Sequence, residues 1–418
     1  DLHLSIRRQR QMCIRDRLYI RGISMHFKRI FSILSLTVIT SGLSQGMLLP
    51  LISIIFDQRG IPAELNGLHA TGLYIGILVT SLFIEIPLQR FGYMKLIVSG
   101  GFIVTVSLLL FPFLDNIWIW FVLRLFIGIG DNMLHFASQT WVTHIIPKPK
   151  LGRYISLYGL CFSGGFMLGP LLTQLSEINL ALPFIVSSVL TLLSWIGVVF
   201  IGQYAPATMN EYQSIRRTFI KFRETLKVSW IAFLFPMLYG ILESSLSSNF
   251  PVFALHYDVS VVWISYIIAA FSLGSIIFQY PIGTLSDSVS RKSLMIWLLV
   301  FGSGVVFLGE FFMHSPILLF LLFIVIGALL GSMFSLGMSF MAEITPKDML
   351  PSGNLLCGIA FSIGSMFAPY IGGVVIEQSN HTVYFTFISI LIIIILLLLL
   401  IYPYEKIKQI QLKKMEHE

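Results

Sequence analysis

Twelve apolar runs, each about the 20 residues that a helix needs to cross a bilayer, leave this chain little choice but a membrane bundle. They lie near 30–56, 67–88, 95–113, 117–140, 152–175 and 181–203, and, after a polar stretch, near 230–254, 261–282, 293–312, 316–341, 352–376 and 382–403. Backbone amides in hydrocarbon find no water, so such runs must close their hydrogen bonds internally, as helices. Composition agrees. Of 418 residues, 56% are hydrophobic and 11% charged, against about 25% charged in an average soluble domain. The expected fold is an all-α membrane protein of twelve transmembrane helices, six plus six.

The net charge of +7 does not point to nucleic acid, because the bases lie in short segments between apolar runs without a continuous basic face. They alternate instead. Even-numbered loops carry Arg90 and Lys95, then Lys148, Lys150 and Arg153, then Arg216, Arg217, Lys221, Arg223 and Lys227, then Arg291 and Lys292, and finally Lys347; odd-numbered loops carry only Arg59. By the positive-inside rule both termini and the central stretch are expected in the cytoplasm, with the compact loops suiting a bacterial plasma (inner) membrane. The cysteines Cys13, Cys161 and Cys357 form neither a disulfide framework nor a metal cluster. The patterns GxxxxGK[ST], HExxH and GxSxG are missing, so no catalytic residue, metal or cofactor is expected.

Residues 1–24 stand apart. The stretch QMCIRDR, Gln11 to Arg17, can be back-translated into a transposon-end adapter used in sequencing libraries, and the natural start is expected at Met25; a natural polybasic tail is the alternative. Neither resembles a cleaved signal peptide. The expected division is 25–203 for a first six-helix bundle, 204–228 for a cytoplasmic central loop, 229–404 for a second bundle and 405–418 for a cytoplasmic tail.

The chain repeats itself. Ile145 to Pro170, IIPKPKLGRYISLYGLCFSGGFMLGP, lies without gaps over Ile344 to Pro369, ITPKDMLPSGNLLCGIAFSIGSMFAP, with 11 identities in 26 positions. Pro50 and Asp57 are spaced like Pro251 and Asp258. Two pseudo-symmetric six-helix units of the same orientation are expected, with a substrate site near the midplane between them, as in many secondary transporters.

The loop GTLSDSVSRK between runs eight and nine resembles the signature loop of the major facilitator superfamily, and PLQRFGYMK between runs two and three resembles its degenerate partner. RLFIGIG, from Arg124 to Gly130, is similar to that family's helix-four motif, and GGFMLGP to the glycine and proline motif of its proton-driven exporters. The exporter pattern continues with paired glycines, which Leu172 and Thr173 do not supply. The resemblance covers Met25 to about Tyr404. It implies that Gly283, Asp287, Arg291 and Lys292 form a latch made in one access state and broken in the other. An ordinary positive-inside turn is the competing reading. Physically, Gly283 is expected to let two helices approach closely, and Asp287 to sit ahead of the ninth helix, within reach of Arg291 four residues on. In the first-half copy Arg90, Phe91, Gly92 and Lys95 fit, while Glu85 and Gln89 replace the glycine and the aspartate.

Arg124, Asp131 and His135 are spaced by seven and four, which places them on one face of the fourth helix. Insertion costs roughly 2.5–3.5 kcal/mol per Arg or Asp at mid-helix, against about 0.3–0.6 gained per Leu, Ile, Phe or Val. Such a stripe must face the bundle interior, and a carboxylate in low dielectric can trade a proton near neutral pH. Proton coupling is the favoured role; a static Arg and Asp pair is the alternative. Glu243, followed by Ser244, Ser245, Ser247, Ser248 and Asn249 in the seventh run, could bind a cationic substrate, carry a proton or bond a neighbouring helix. Ser41, Ser44 and Gln45 occupy the symmetry-related region of the first run. Ser41, Gln45, Glu243 and Asn249 are the candidate cavity residues. Gly164, Gly165, Gly169 and Pro170, echoed by Gly364, Ala368, Pro369, Gly372 and Gly373, are expected to let helices five and eleven bend as gates.

The leading functional expectation is a monomeric, proton-coupled exporter of small amphiphilic compounds or drugs, whose partners are substrate, protons and the lipid bilayer. A dedicated metabolite or metal-chelate carrier, and a non-transporting sensor, are the alternatives.

Overall fold

The computed structural model describes residues 2–146, 151–205, 215–346, 349–379 and 383–403. Lys148, Lys150, Lys347 and the tail 405–418 lie outside the described residues, as do the side chains of Arg153, Arg216, Arg217 and Lys221. The described part contains twelve helices long and apolar enough to span a membrane. They are α1 (Phe27–Gln58), α2 (Ala63–Phe83), α3 (Tyr93–Phe113), α4 (Ile117–Ile145), α5 (Tyr154–Glu177), α6 (Leu182–Ile201), α7 (Phe222–Leu255), α8 (Val261–Ser288), α9 (Arg291–Phe311), α10 (Pro316–Ile344), α11 (Ser352–Gln378) and α12 (Tyr384–Ile401). An even number of crossings returns the chain to the side on which it started. Arg90, Lys95, Arg291 and Lys292 lie at that side, called the basic face below.

The duplication is visible in how the helices cross. A methyl group at Gly165 would strike the Ile39 carbonyl, and one at Gly364 the Met237 carbonyl; Gly42 and Phe162 are matched by Gly240 and Phe361 in the same way. Gly76 against Leu125 and Gly128 against Leu73 recur as Gly274 against Ile324 and Gly327 against Phe271. Small residues let the backbones of α1 and α5, α2 and α4, α7 and α11, and α8 and α10 touch, which is how membrane helices gain contact without a hydrophobic drive between them.

The two copies of the proline-bearing helix differ. α5 is α-helical to Leu168 and then tightens into 3₁₀ geometry over Gly169–Glu177, where Pro170 supplies no amide hydrogen. α11 keeps its α-helix past Pro369 to Gln378.

The stretch 204–228, expected as a loop, is helical from Ile215 and continuous with α7, which breaks at Ser229 (φ −123°, ψ 20°). Ile215, Phe219, Phe222 and Leu226 recur at i, i+4, i+7 and i+11, an apolar helical stripe in a segment that also carries Arg216, Arg217, Lys221, Arg223 and Lys227. At the other end, the backbone before α1 is helical from Leu2, and the side chains of residues 2–26 are outside the described set.

The first half has two separate apolar clusters. One, near the basic face, contains Leu34, Ile97, Trp141 and Val198; the other, at the far end, contains Leu51, Phe56, Leu73, Trp120 and Phe184. The serine-rich middle of α1 and α6 is held by hydroxyl contacts, Ser44 to Ser187 at 2.7 Å and Thr40 to Ser194 at 2.9 Å. The second half forms a single cluster that reaches across to Ile54 and Ala63 of the first.

Candidate functional site

α4 carries Arg124 (0% exposed) and Asp131 (1% exposed) on the face turned into the first bundle. The two do not pair, so the static ion pair considered from the sequence is not formed. Seven residues of rise hold them about 10 Å apart along the helix, and each finds a partner on another helix. Ser41 Oγ donates to Asp131 Oδ1 at 2.8 Å, and Gln45 Nε2 lies 3.4 Å from that hydroxyl. Asp131 Oδ2 is buried without a partner. Arg124 donates through Nη2 to the Leu48 carbonyl and through Nη1 to His69 Nδ1, both at 3.3 Å, and its Nε is buried without a partner. His135 packs against Phe162 and Tyr158 of α5, with ring centroids 5.1 and 6.1 Å away. The stripe is therefore three separate polar sites.

Glu243 faces the other bundle. It lines a narrow cavity of about 30 Å³ together with Phe162, Ser163 and Phe166 of α5, Tyr239 of α7, and Ser272, Ser275 and Ile276 of α8. That is room for a water or two in this conformation. Three of the expected cavity residues, Asn249, Ser41 and Gln45, lie elsewhere. Asn249 is buried between α7 and α11, its Nδ2 3.5 Å from the Ala368 carbonyl and against Gly372. Six residues past Glu243, at about 100° each, put it on a different side of α7. Ser41 is taken up by Asp131, and Gln45 by Ser41. The sequence reading missed Tyr239, Ser163, Ser272 and Ser275. Tyr239 was findable, one turn before Glu243 and four residues ahead of it, just as Ser41 precedes Gln45.

At the basic face the second-half loop is built as an ionic clamp. Arg291 reaches Asp287 and Glu343, each at 3.1 Å, and Lys292 Nζ donates to the Tyr402 carbonyl at 2.9 Å. The loop thus ties together the ends of α8, α9, α10 and α12. Two expectations are corrected. Asp287 lies in the last turn of α8, and Ser290 stands at the N-terminal boundary of α9 without a side-chain cap bond; the negative end of α8 disfavours Asp287 there, and Arg291 offsets that. A methyl group at Gly283 would meet nothing within 4 Å, so among the described residues no helix approaches closely there. In the first-half copy, Gly92 adopts φ 83°, a left-handed turn that suits glycine. Arg90 lies over the Phe91 ring, 5.4 Å from its centroid, and among the described residues neither Arg90 nor Lys95 joins an ion pair.

Polar contacts join the bundles at the end opposite the termini. Ala63 N–H of α2 donates to Glu377 of α11 at 3.0 Å, and Tyr370 of α11 donates to Glu64 at 3.3 Å. Thr173 and Ser265 meet at 2.6 Å between α5 and α8, and Asp57 lies 3.8 Å from His256. Here α2 and α11 pack backbone to backbone: Gly67 abuts the Pro369 carbonyl, and Gly373 the Ala63 carbonyl.

Two duplicated six-helix bundles, joined at one end and holding the buried acids Asp131 and Glu243 in their interior, define the architecture of a membrane transporter. The chain belongs to the Major Facilitator Superfamily, whose model matches residues 34–266 and 232–417. It is 45% identical over 360 residues to YfkF of Bacillus subtilis (strain 168), described as an uncharacterized MFS-type transporter, covering 86% of this chain and 92% of that one. It is 23% identical over 350 residues to the similarly described YcaD of Escherichia coli O6:K15:H31, covering 83% and 89%. Among solved structures it resembles a mutant of the nucleoside transporter NupG (TM-score 0.77, 14% identity, 89% of this chain and 99% of that chain). It also resembles a bacterial homologue of the human lysosomal transporter Spinster in an inward-facing, unoccupied conformation (TM-score 0.68, 13% identity, 90% and 95%). The chain is a multi-pass membrane transporter of this superfamily.

Proposed function

We propose that this transporter couples proton entry to the export of small amphiphilic compounds, drugs among them, across the plasma membrane, as a monomer with both termini in the cytoplasm. The observation that carries the reading is Asp131. A carboxyl group fully buried in a membrane bundle accepts from a hydroxyl on one oxygen, with Gln45 close by, and among the described residues it has no cation beside it to fix it as an anion. Such a group is costly when charged, and it can hold and release a proton as access changes.

The basic face is then the cytoplasmic one, and the polar contacts between the bundles lie at the outer end. Glu243 lies on the cavity wall among phenyl rings and hydroxyls, which suits a compound with an apolar body and a cationic or hydrogen-bonding group. Protonation of Asp131 releases the demand on Ser41 and Gln45. Rearrangement of α1 against α4 follows, and with it the contact of α1 with α5. The Asp287, Arg291 and Glu343 clamp breaks or re-forms as the cytoplasmic ends move.

A second reading is a dedicated carrier of one compound, favoured by the narrowness of the cavity. One experiment separates the two. Proteoliposomes with an imposed pH gradient are offered a panel of lipophilic cations, neutral drugs and metabolites while proton flux is recorded. The proposal expects several unrelated cations to trigger flux, and Asp131→Asn to abolish it. Flux with a single metabolite would favour the dedicated carrier. Undiminished flux in Asp131→Asn would overturn the assignment of the proton to that residue.

A further inference from the structure

His69 of α2 is 1% exposed, and nothing in the cycle above uses it. Its Nε2 lies 2.7 Å from the Ile117 carbonyl at the start of α4. A carbonyl oxygen only accepts, so Nε2 carries the ring hydrogen and Nδ1 is left as a lone pair. Arg124 Nη1 donates to that lone pair at 3.3 Å. Phe56 and Phe121 hold the ring edge-on, with centroids 4.7 and 5.6 Å away. Tautomer and orientation are thus set by neighbours on α1 and α4.

The choice of an imidazole has an electrostatic meaning. A carboxylate at this place would satisfy the guanidinium and cancel its charge. A neutral ring accepts one N–H and leaves the charge standing. The Leu48 carbonyl of α1 takes the other guanidinium bond, and the ionisable groups that share the buried interior are Tyr74 of α2, Asp131 two turns along α4 and Glu243 of α7.

We propose that His69 is a positioning residue that holds Arg124 as an uncancelled cation on the same face of α4 as Asp131, and so sets the proton affinity of the interior. The part concerning proton affinity rests on the coupling reading above; the part concerning tautomer and acceptor does not.

Two substitutions separate holding Arg124 from bridging α2 to α4. The amide oxygen of Asn falls near the place of Nδ1 and keeps an acceptor for Arg124. The amide nitrogen of Gln reaches toward the place of Nε2 and keeps a donor for Ile117. Solid-state NMR of the full chain, labelled with ¹⁵N-histidine in lipid vesicles, is expected to show His69 neutral, with hydrogen on Nε2, from about pH 5 to 8. Its Nδ1 resonance is expected to move on Arg124→Gln. In the same vesicles, with native cysteines replaced, spin labels at Leu68→Cys and Ile371→Cys report the separation of α2 from α11 as pH is varied. His69→Asn is expected to keep the native midpoint, and His69→Gln to shift it by about one pH unit, a tenfold change in proton affinity.

Hydrogen on Nδ1, an Nδ1 resonance indifferent to Arg124→Gln, or a His69→Gln profile matching that of His69→Asn would each overturn the proposal. A native distance that ignores pH would instead defeat the coupling reading and with it the proton-affinity part, while the NMR result still decides the tautomer and the acceptor.

Discussion

The two halves of the molecule share a skeleton and divide the chemistry. Gly42, Gly76, Gly128 and Gly165 press against backbone carbonyls in the first half as Gly240, Gly274, Gly327 and Gly364 do in the second. The polar side chains placed on that skeleton are not repeated. Arg124, Asp131 and His135 of α4 correspond by the repeat to Phe323, Leu330 and Phe334 of α10. Conversely, Glu243 corresponds to Gln45, and the clamp of Asp287, Arg291 and Glu343 to Gln89, Tyr93 and His144. A backbone-to-backbone crossing tolerates almost nothing larger than glycine, so both copies are held to it. A buried charge costs several kcal/mol, so it stands only in one copy, where it has a use.

The largest effect that sharpens this contrast is expected at α4. Asp131→Asn is predicted to reduce gradient-driven proton flux to the level of empty liposomes, while substrate exchange without a gradient persists; Leu330→Asn, at the mirror position, should leave driven flux measurable. Next come the crossings. Gly165→Val and Gly364→Val should each destabilise by more than the roughly 1–3 kcal/mol usual for overpacking, since what they strike is backbone rather than side chain. Melting in detergent should show losses of similar size. Gly283→Ala, with open space around it, should melt like the native protein. A large difference between the two valine variants would break the claim of a duplicated skeleton.

Smaller effects are expected at the two ends. Glu377→Gln weakens a charge-assisted bond to the first amide of α2, which is worth about 1.5–3 kcal/mol, and labels on α2 and α11 should show the far end opening more often. Arg291→Ala removes two partly exposed ion pairs worth up to about 1 kcal/mol each, whereas Lys95→Ala, without such partners, should leave stability unchanged. Equal losses from Arg291→Ala and Lys95→Ala would mean that the two signature loops are built alike.

Much of this was legible in the residues. Length and hydropathy alone give twelve helices, because hydrocarbon permits no other backbone solution. The overlay of Ile145 to Pro170 on Ile344 to Pro369 exposes the duplication, and Asp287 and Arg291, four apart, foretell their ion pair. The site was less legible, because its bonds run between helices. His69 meets Arg124 across 55 residues of sequence, and a lone histidine in an apolar helix has no periodicity to announce it. Asn249 looked like part of the Glu243 cluster because it is near in sequence, but the turn of the helix carries it to α11. The segment from Ile215 to Leu226 was read by its charges, and its apolar stripe, one residue in three or four, was overlooked.

The central claim is that the exchangeable proton resides on α4, in one copy of the repeat. Infrared difference spectroscopy of the protein in lipid, between about pH 5 and pH 8, observes the carboxyl C=O stretch of a buried acid directly. The account predicts a titrating band in the native protein that disappears in Asp131→Asn and survives in Glu343→Gln. A band that is unchanged by Asp131→Asn, or a native spectrum without a titrating buried carboxyl, would contradict it.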